Sequence, residues 1–221
     1  MADTTVSSDF DAFIFDMDGT LLDTLPDLII VTNETLTHFG YPTRSDAEIL
    51  SMVGKGARYL IKQALPQGVS EDIIDTVHTY WQNIYPTYGH KLTCPYPNIV
   101  EILTTLKAAG KKIAVLSNKY DDGVKDLADR FFPGLFDIVL GEGPVPRKPD
   151  PTGLNFIITQ FGCAPERCAY FGDSAGDMKV AHAAHTFAAG VTWGYQSREA
   201  LISERADVLL DSTREILTIS R

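Results

Sequence analysis

The chain has 221 residues, 44% of them hydrophobic, and a formal net charge of −10, which suits one large or two small globular domains. This acidic balance argues against non-specific binding to nucleic acids or anionic membranes, because both favour basic surfaces. No apolar run approaches the roughly 18 residues that cross a bilayer, and residues 1–9 lack the pattern of a signal peptide. Cys94, Cys163 and Cys168 show no metal-ligand spacing and indicate reduced packing residues. We therefore expect a cytoplasmic protein.

The first predicted element is a short buried strand that ends in two acids. The continuous apolar run 12–15 is typical of a strand in a parallel sheet, and Asp16 and Asp18 follow it in the sequence DMDGT. Buried carboxylates are costly unless a cation or hydrogen bonds compensate them. The carboxyl ends of strands are also where open α/β sheets place their active sites. The alternative is a solvated turn that simply ends the strand.

A long helical segment separates this strand from the next candidate strand, which begins near Lys112. One helix is predicted from Pro26 to about Gly40, and another from Ser70 to Tyr85 with a wide apolar stripe. Between them, a glycine-rich turn carries the cations Lys55 and Arg58. The turn lacks the GxxxxGK[ST] pattern of a phosphate-binding P-loop. The segment therefore predicts a small helical domain inserted into the first crossover.

The rest of the chain alternates between strand and helix patterns. This alternation predicts an α/β fold with a Rossmann-like, doubly wound parallel sheet covered by helices. We divide the chain into a core, residues 1–23 and 95–221, and an inserted α-helical domain, residues 24–94. The predicted strands of the second part of the core cover residues 113–116, 138–140, 168–171, 186–191 and 207–210.

Polar residues follow several of these predicted strands. Because the carboxyl ends of parallel strands meet at one edge of a sheet, we expect these residues to converge. Taken singly, each has a simpler interpretation: a helix cap for the serine, a solvated turn cation for the lysine, and favoured acids at a helix start for the two aspartates. The residues are Ser117 and Asn118, Lys148, and Asp173 with Asp177, in addition to Asp16 and Asp18.

The sequences DMDGT, SN, RKPDP and GDSAGD, in this order at predicted strand ends, resemble the four signature motifs of the haloacid dehalogenase superfamily. Within it, RKPDPTGL and VTWGYQSREAL are most similar to phosphoglycolate phosphatases and their close relatives. The resemblance extends from about Phe13 to the 193–195 segment. It implies a Rossmann-like catalytic core with a helical cap and a magnesium-dependent phosphatase activity.

Four acids at one sheet edge suit phosphoryl transfer. Asp16 would be the nucleophile that forms an aspartyl-phosphate, and Asp18 would be the general acid and then the general base. Four carboxylates cannot persist together uncompensated, which favours Mg²⁺ with a substrate oxygen and water. The resemblance implies that Asp16 and Asp173 coordinate the metal through side chains, and Asp18 through its backbone carbonyl. Asp177 would bind the metal directly or through water.

Several residues are predicted to contact the substrate. Ser117, with the backbone at Asn118, would hold the phosphoryl oxygens, and Lys148 would neutralise the nucleophile and the phosphate. Thr20 would orient the nucleophile or its loop.

Two further candidates lie in the inserted domain. Lys55 or Arg58 would pair with a carboxylate of the substrate. The alternative is that both are exposed helix cations.

The expected substrate is a small phosphorylated metabolite, and the resemblance places 2-phosphoglycolate first. A β-phosphoglucomutase-like phosphotransferase, a pyrophosphatase and a nucleotidase are compatible with the same motifs. A phospho-receiver signalling domain is an alternative of a different class, although receivers are smaller and need no inserted domain. We expect no nucleic-acid or membrane partner, and a monomer or homodimer.

Overall fold

The structure is a computed structural model that describes residues 6–7, 9–88 and 90–220. The chain divides into two compact units, one formed by the chain up to Leu22 and from Pro95 onward, the other by Asp23–Cys94. Within the described ranges, no helix is long and apolar enough to cross a membrane.

The strands are β1 (Ala12–Phe15), β2 (Leu22–Asp23), β3 (Cys94–Pro95), β4 (Lys112–Tyr120), β5 (Ile138–Glu142), β6 (Cys168–Gly172), β7 (Phe187–Val191) and β8 (Val208–Leu210). The α-helices are α1 (Leu25–His38), α2 (Asp46–Met52), α3 (Ala57–Ala64), α4 (Glu71–Tyr88), α5 (Ile99–Ala108), α6 (Asp121–Phe131), α7 (Thr152–Phe161), α8 (Ala175–Ala183) and α9 (Arg198–Ser203).

The first unit is built on a six-stranded sheet of order β5-β4-β1-β6-β7-β8. Every strand pairs with its neighbours in parallel, and Phe15 lies in register with Val115 of β4 and Phe171 of β6. The predicted α/β fold with a parallel, Rossmann-like sheet is therefore confirmed. β1 lies in the interior of the sheet, so its carboxyl end opens between β4 and β6.

One strand is longer than the sequence pattern indicated. We expected the strand after Lys112 to end at Leu116, but β4 continues to Tyr120. The pairing of β4 with β5 shifts register between Leu116 and Tyr120. Ser117 and Asn118 therefore lie inside the strand, because pairing with β5 is interrupted after Leu116 and resumes where Tyr120 pairs with Glu142.

Apolar side chains fill both faces of this sheet. Phe13 and Phe15 of β1 belong to one core cluster with residues of α5 and α6. Ile14 between them belongs to a second cluster with residues of α7 and α8. Because successive side chains of a strand point to opposite faces, both faces of β1 are buried, which explains its uninterrupted apolar sequence.

The inserted unit is helical, as its sequence indicated, with α1 packed against α4 and α3 packed against α4. The apolar stripe of α4 is narrower than predicted: Ile74, Val77, Trp81 and Tyr85 are buried, whereas Ile73 is 42% exposed. The buried positions recur at spacings of three and four residues, which places them on one helix face. The stripe therefore forms the core of this unit.

Candidate active site

Asp16 is the first residue after β1 and is almost completely buried. Its backbone N–H donates to the carbonyl oxygen of Phe171 at 2.9 Å, and its Oδ1 accepts from the backbone N–H of Met17 at 2.7 Å. Burial raises the pKa of Asp16 to about 7, although the attraction of Lys148 acts in the opposite direction. The carboxylate is thus fixed at the interior of the sheet's carboxyl edge, where an ionised acid needs compensating positive charge.

Lys148 supplies part of this charge. Its side chain is 3% exposed, and its Nζ lies 2.9 Å from Oδ1 of Asp16 and 2.7 Å from Oδ1 of Asp177. Burial alone would lower the pKa of Lys148, but the attraction of Asp16 and Asp177 raises it well above its usual value. The interpretation of Lys148 as a solvated turn cation is therefore wrong.

Asp173 follows β6 and is held by two donors. Its Oδ2 accepts from the backbone N–H of Tyr195 at 2.7 Å, and its Oδ1 accepts from the hydroxyl of Thr20 at 3.1 Å. A Cβ atom added to Gly194 would lie 2.2 Å from the Cβ of Asp173 and 2.5 Å from the carbonyl oxygen of Gly19. The Trp193-Gly194-Tyr195 segment therefore passes against Asp173 at a distance that only glycine permits.

Asp177 occupies the third position of α8 and is completely buried. Its Oδ2 accepts from the backbone N–H of Ser174 in a capping box, while its Oδ1 faces Lys148. Asp177 is therefore both an acid at the start of a helix and a residue of the carboxyl edge of the sheet, as the two interpretations of the sequence predicted. The carboxylate has one oxygen committed to the helix and the other directed to the site.

The buried acids supply the closely spaced carboxylate oxygens that a hard cation binds. Ligand oxygens of Asp16, Asp173 and Asp177 lie within 4.8 Å of one another. Burial, with repulsion from Asp177 and Asp16, raises the pKa of Asp173 to about 8. When all four acids of this edge are ionised, Lys148 and Lys119 balance only part of their negative charge, and a divalent cation would balance the rest. This donor set fits a metal ion such as Mg²⁺, which prefers carboxylate oxygens.

Three other predicted residues also lie at this edge. Ser117 is 4% exposed and its hydroxyl accepts from the backbone N–H of Lys119 at 3.2 Å. It is not the cap of α6, since that position belongs to Tyr120. The Asn118 side chain accepts from the backbone N–H of Lys148 at 2.8 Å, so it holds the lysine loop. The Thr20 hydroxyl donates to Asp173, which ties the loop after β1 to the end of β6. Its role in orienting the nucleophile or its loop stays a prediction.

Asp18 faces a cation that the sequence analysis did not assign. Nζ of Lys119 lies 3.2 Å from Oδ1 and 3.5 Å from Oδ2 of Asp18, and the two side chains are 4% and 15% exposed. A signal for this residue was present, because Lys119 follows Ser117 by two positions and side chains so spaced share one face of a strand.

Tyr170 is a second residue that the sequence analysis missed. Its hydroxyl is buried within β6, lies 3.1 Å from Oδ1 of Asp177 and accepts from Nζ of Lys148 at 3.1 Å. It also lies 3.1 Å from the carbonyl oxygen of Leu116. The signal was a hydroxyl-bearing residue in an otherwise apolar strand, since a buried hydroxyl needs partners.

The cations of the inserted unit have local partners. Arg58 forms ion pairs with Glu71 at 2.8 Å and Asp75 at 2.7 Å. Lys55 is exposed, and its Nζ lies 5.0 Å from the centre of the Tyr59 ring. The turn that carries Lys55 has glycines of positive φ on both sides, Gly54 at 98° and Gly56 at 83°, a conformation that favours glycine.

The parallel sheet, with buried acids, a lysine and a candidate metal site at its carboxyl edge, defines the class of an α/β enzyme. The family model of haloacid dehalogenase-like hydrolases matches residues 13–191. The chain belongs to this family, as its motifs predicted.

Curated relatives and solved structures agree with this assignment. The chain is 32% identical to phosphoglycolate phosphatase 1 of Pseudomonas aeruginosa, covering 92% of this chain and 77% of that protein. It is also 32% identical to the phosphoglycolate phosphatase of Vibrio cholerae, covering 93% and 94%. A crystal structure of a predicted phosphoglycolate phosphatase from Haemophilus somnus superposes with a TM-score of 0.90 at 29% identity, covering 97% and 99% of the chains. The prediction of a phosphatase in this family is confirmed, and the family argues against a phospho-receiver domain.

Proposed function

We propose that this phosphatase hydrolyses small phosphomonoesters through an aspartyl-phosphate at Asp16, with Mg²⁺ as its cofactor and 2-phosphoglycolate as its first candidate substrate. The observation that supports it most is the group of three buried carboxylates with oxygens within 4.8 Å of one another, with Lys148 beside Asp16. Its relatives from Pseudomonas aeruginosa and Vibrio cholerae carry the name phosphoglycolate phosphatase.

In the first step, an oxygen of Asp16 forms a bond to phosphorus as the bond from phosphorus to the leaving alcohol breaks. Asp18 donates its proton to the alcohol oxygen. Lys148 lies 2.9 Å from Asp16, where its charge favours the ionised nucleophile and offsets charge on the phosphoryl group. The Ser117 hydroxyl would donate a hydrogen bond to a phosphoryl oxygen, and Asn118, which accepts from the backbone N–H of Lys148, would keep that lysine in place.

In the second step, a water oxygen attacks phosphorus and the bond between phosphorus and Asp16 breaks. Asp18, now ionised, accepts the proton of that water, and inorganic phosphate leaves. Asp16, Asp173 and Asp177 would hold the metal, together with the backbone carbonyl of Asp18. When bound, Mg²⁺ supplies positive charge that stabilises the phosphoryl oxygens.

The test is a panel of phosphorylated metabolites with Mg²⁺, assayed for phosphate release with the wild type and Asp16→Asn. We expect 2-phosphoglycolate to rank first and Asp16→Asn to abolish both turnover and covalent phosphorylation. Substantial activity in Asp16→Asn, after contamination and deamidation are excluded, would refute the assignment of the nucleophile. A hexose phosphate with a bisphosphate primer, pyrophosphate and nucleotides in the same panel test the alternative activities.

The role of Asp18 needs a separate test with leaving groups of widely different pKa. Asp18→Asn should slow hydrolysis most for alcohols that leave poorly, because these depend on protonation. A loss of equal size for all leaving groups would count against Asp18 as the acid.

A further inference from the structure

We propose that Lys119 binds a negative charge on the leaving group, so that the core unit itself selects phosphate esters with a carboxylate close to the ester oxygen. This inference rests on the proposed function, since it takes Asp18 as the acid that meets the leaving group. It assigns a specificity-determining role to a residue outside the four motif sequences.

Lys119 is built into the site. It lies in the last part of β4, its side chain is 4% exposed, and its Nζ contacts Asp18 at 3.2 Å. Its backbone N–H donates to the hydroxyl of Ser117, which ties it to the proposed phosphoryl-binding residue. An exposed lysine would be hydrated and mobile, whereas this ammonium is held at a fixed position beside the proposed acid.

The two buried lysines serve opposite sides of the reacting phosphorus. Lys148 lies 2.9 Å from Asp16, the nucleophile, whereas Lys119 lies 3.2 Å from Asp18, the group that would protonate the leaving oxygen. In-line displacement places the attacking and leaving oxygens on opposite sides of phosphorus. Lys119 therefore belongs to the leaving-group side.

A carboxylate near the ester oxygen is within reach of such a cation. In 2-phosphoglycolate one methylene carbon separates the ester oxygen from the carboxylate, so a proton donor that contacts the ester oxygen is also close to the carboxylate. An ammonium group has three N–H donors and can contact two anions at once. Lys119 would thus contact Asp18 and the substrate carboxylate together.

The position of Lys119 favours it over the cations of the inserted unit for this task. Charge interactions are stronger where water is excluded, and the Lys119 side chain is 4% exposed, compared with 42% for that of Arg58. Arg58 is also engaged by Glu71 and Asp75. A buried ammonium that meets the substrate carboxylate would give a preference of roughly 10–100-fold, in the range for a hydrogen bond to a charged group.

The experiment compares kcat/KM for 2-phosphoglycolate and for 2-hydroxyethyl phosphate, which has the same skeleton but a neutral leaving group. Lys119→Met should lower the ratio of the two values by roughly 10–100-fold. Lys119→Arg keeps the charge and should retain part of the preference. The matched control is Lys125→Met, because Lys125 is an exposed lysine paired with Asp121 on α6 and should leave the ratio unchanged.

The possible outcomes separate the inference from the function on which it rests. An unchanged ratio in active Lys119→Met, with equal losses for both esters, overturns the inference and makes Lys119 a positioning residue for Asp18. If Lys119→Met does not fold, inhibition of the wild-type enzyme by the product alcohols provides the test. With phosphate present, glycolate should inhibit the enzyme and ethylene glycol should not. Equal inhibition by the two alcohols overturns the inference. If the wild type hydrolyses neither ester, or if Asp16→Asn hydrolyses both as fast as the wild type, the proposed function and this inference are both overturned.

Discussion

Lys148 and Asp177 form an ion pair of 2.7 Å between side chains that are 3% and 0% exposed. The lysine lies in the loop after β5 and the aspartate in the first turn of α8, 29 positions away. Their contact ties the loop after β5 to the start of α8. Because Nζ of Lys148 also lies 2.9 Å from Asp16, a structural ion pair and the candidate nucleophile share one cation.

Removing this cation should damage stability and activity together. We expect Lys148→Met to lower the free energy of unfolding by about 3–5 kcal/mol, the usual cost of leaving a buried charge without its partner. We also expect kcat/KM to fall by at least about 100-fold for every phosphate ester, since the lost charge faces the phosphoryl group. Urea denaturation and assays with two unrelated esters measure the two effects.

The control for this change is again Lys125→Met. The lysine of its ion pair with Asp121 is 50% exposed, so its removal should change the free energy of unfolding little and leave kcat/KM unaltered. Preferential loss for one ester in Lys148→Met would contradict the placement of this lysine at the phosphoryl group.

A substitution of Gly194 tests the packing around Asp173, one of the proposed metal ligands. In Gly194→Ala the new methyl group would meet the Cβ of Asp173 at 2.2 Å and backbone of Gly19 at 2.5 Å, so Asp173 must shift. We expect weaker Mg²⁺ binding, measured by calorimetry, and a higher Mg²⁺ requirement for activity.

Gly176→Ala in α8 is the matched control, because the atom nearest to its added methyl group would be 3.5 Å away. It should leave Mg²⁺ binding unchanged and stabilise the helix by roughly 0.5–1 kcal/mol. Normal Mg²⁺ binding by Gly194→Ala would show that Asp173 does not need its observed position.

The sequence predicted the sheet and the convergence of its acids for a physical reason. Apolar runs such as 12–15 identify strands buried on both faces, and polar residues at the ends of parallel strands have to meet at one edge. The sequence alone therefore predicts that Asp16, Lys148 and Asp177 lie together.

The contacts between these side chains could not be predicted in the same way. Nothing in the sequence specifies that the side chain of Lys119 contacts Asp18, or that the hydroxyl of Thr20 donates to Asp173. Such partners depend on the register of β4 against β5, which shifts after Leu116, and on how closely the 193–195 segment approaches β6. The domain division and the roles of Lys55 and Arg58 stay predictions.

Lys55 in the inserted unit is tested by a ratio of substrates. If Lys55 contacts the substrate carboxylate, Lys55→Ala should lose roughly 1–3 kcal/mol of transition-state stabilisation for 2-phosphoglycolate, and almost none for an aryl phosphate. Arg58→Ala is the comparison, since Arg58 pairs with Glu71 and Asp75 inside the same unit. Because these ion pairs are exposed, Arg58→Ala should change stability little. A fall in the ratio with Arg58→Ala and not with Lys55→Ala would assign the substrate carboxylate to Arg58. An unaltered ratio in Lys55→Ala would make this residue a surface cation.

The buried acids also predict how pH changes the stability of the metal-free protein. Burial raises the pKa of Asp16 to about 7 and that of Asp173 to about 8, whereas both groups return to about 3.8 in the unfolded chain. Between these values the folded protein holds more protons than the unfolded chain, so the free energy of unfolding falls as pH rises. This stabilising contribution is complete below about pH 4 and is lost as pH rises through about 7 to 8.

We therefore expect the protein in a strong chelator to lose stability from pH 5 to pH 8, by up to about 1.4 kcal/mol per pH unit for each proton released. Saturating Mg²⁺ should oppose this loss and stabilise the protein more at pH 8 than at pH 5, because the cation competes with protons for the same oxygens. Urea denaturation at each pH measures both effects.

Asp173→Asn should reduce the slope of unfolding free energy against pH in the metal-free protein, since it removes a titrating group. Asp211→Asn should not, because Asp211 is exposed and its hydrogen bond from Thr192 lowers its pKa. A metal-free stability that is constant or rises over this interval would show that these carboxyl groups are ionised in the folded protein without a metal.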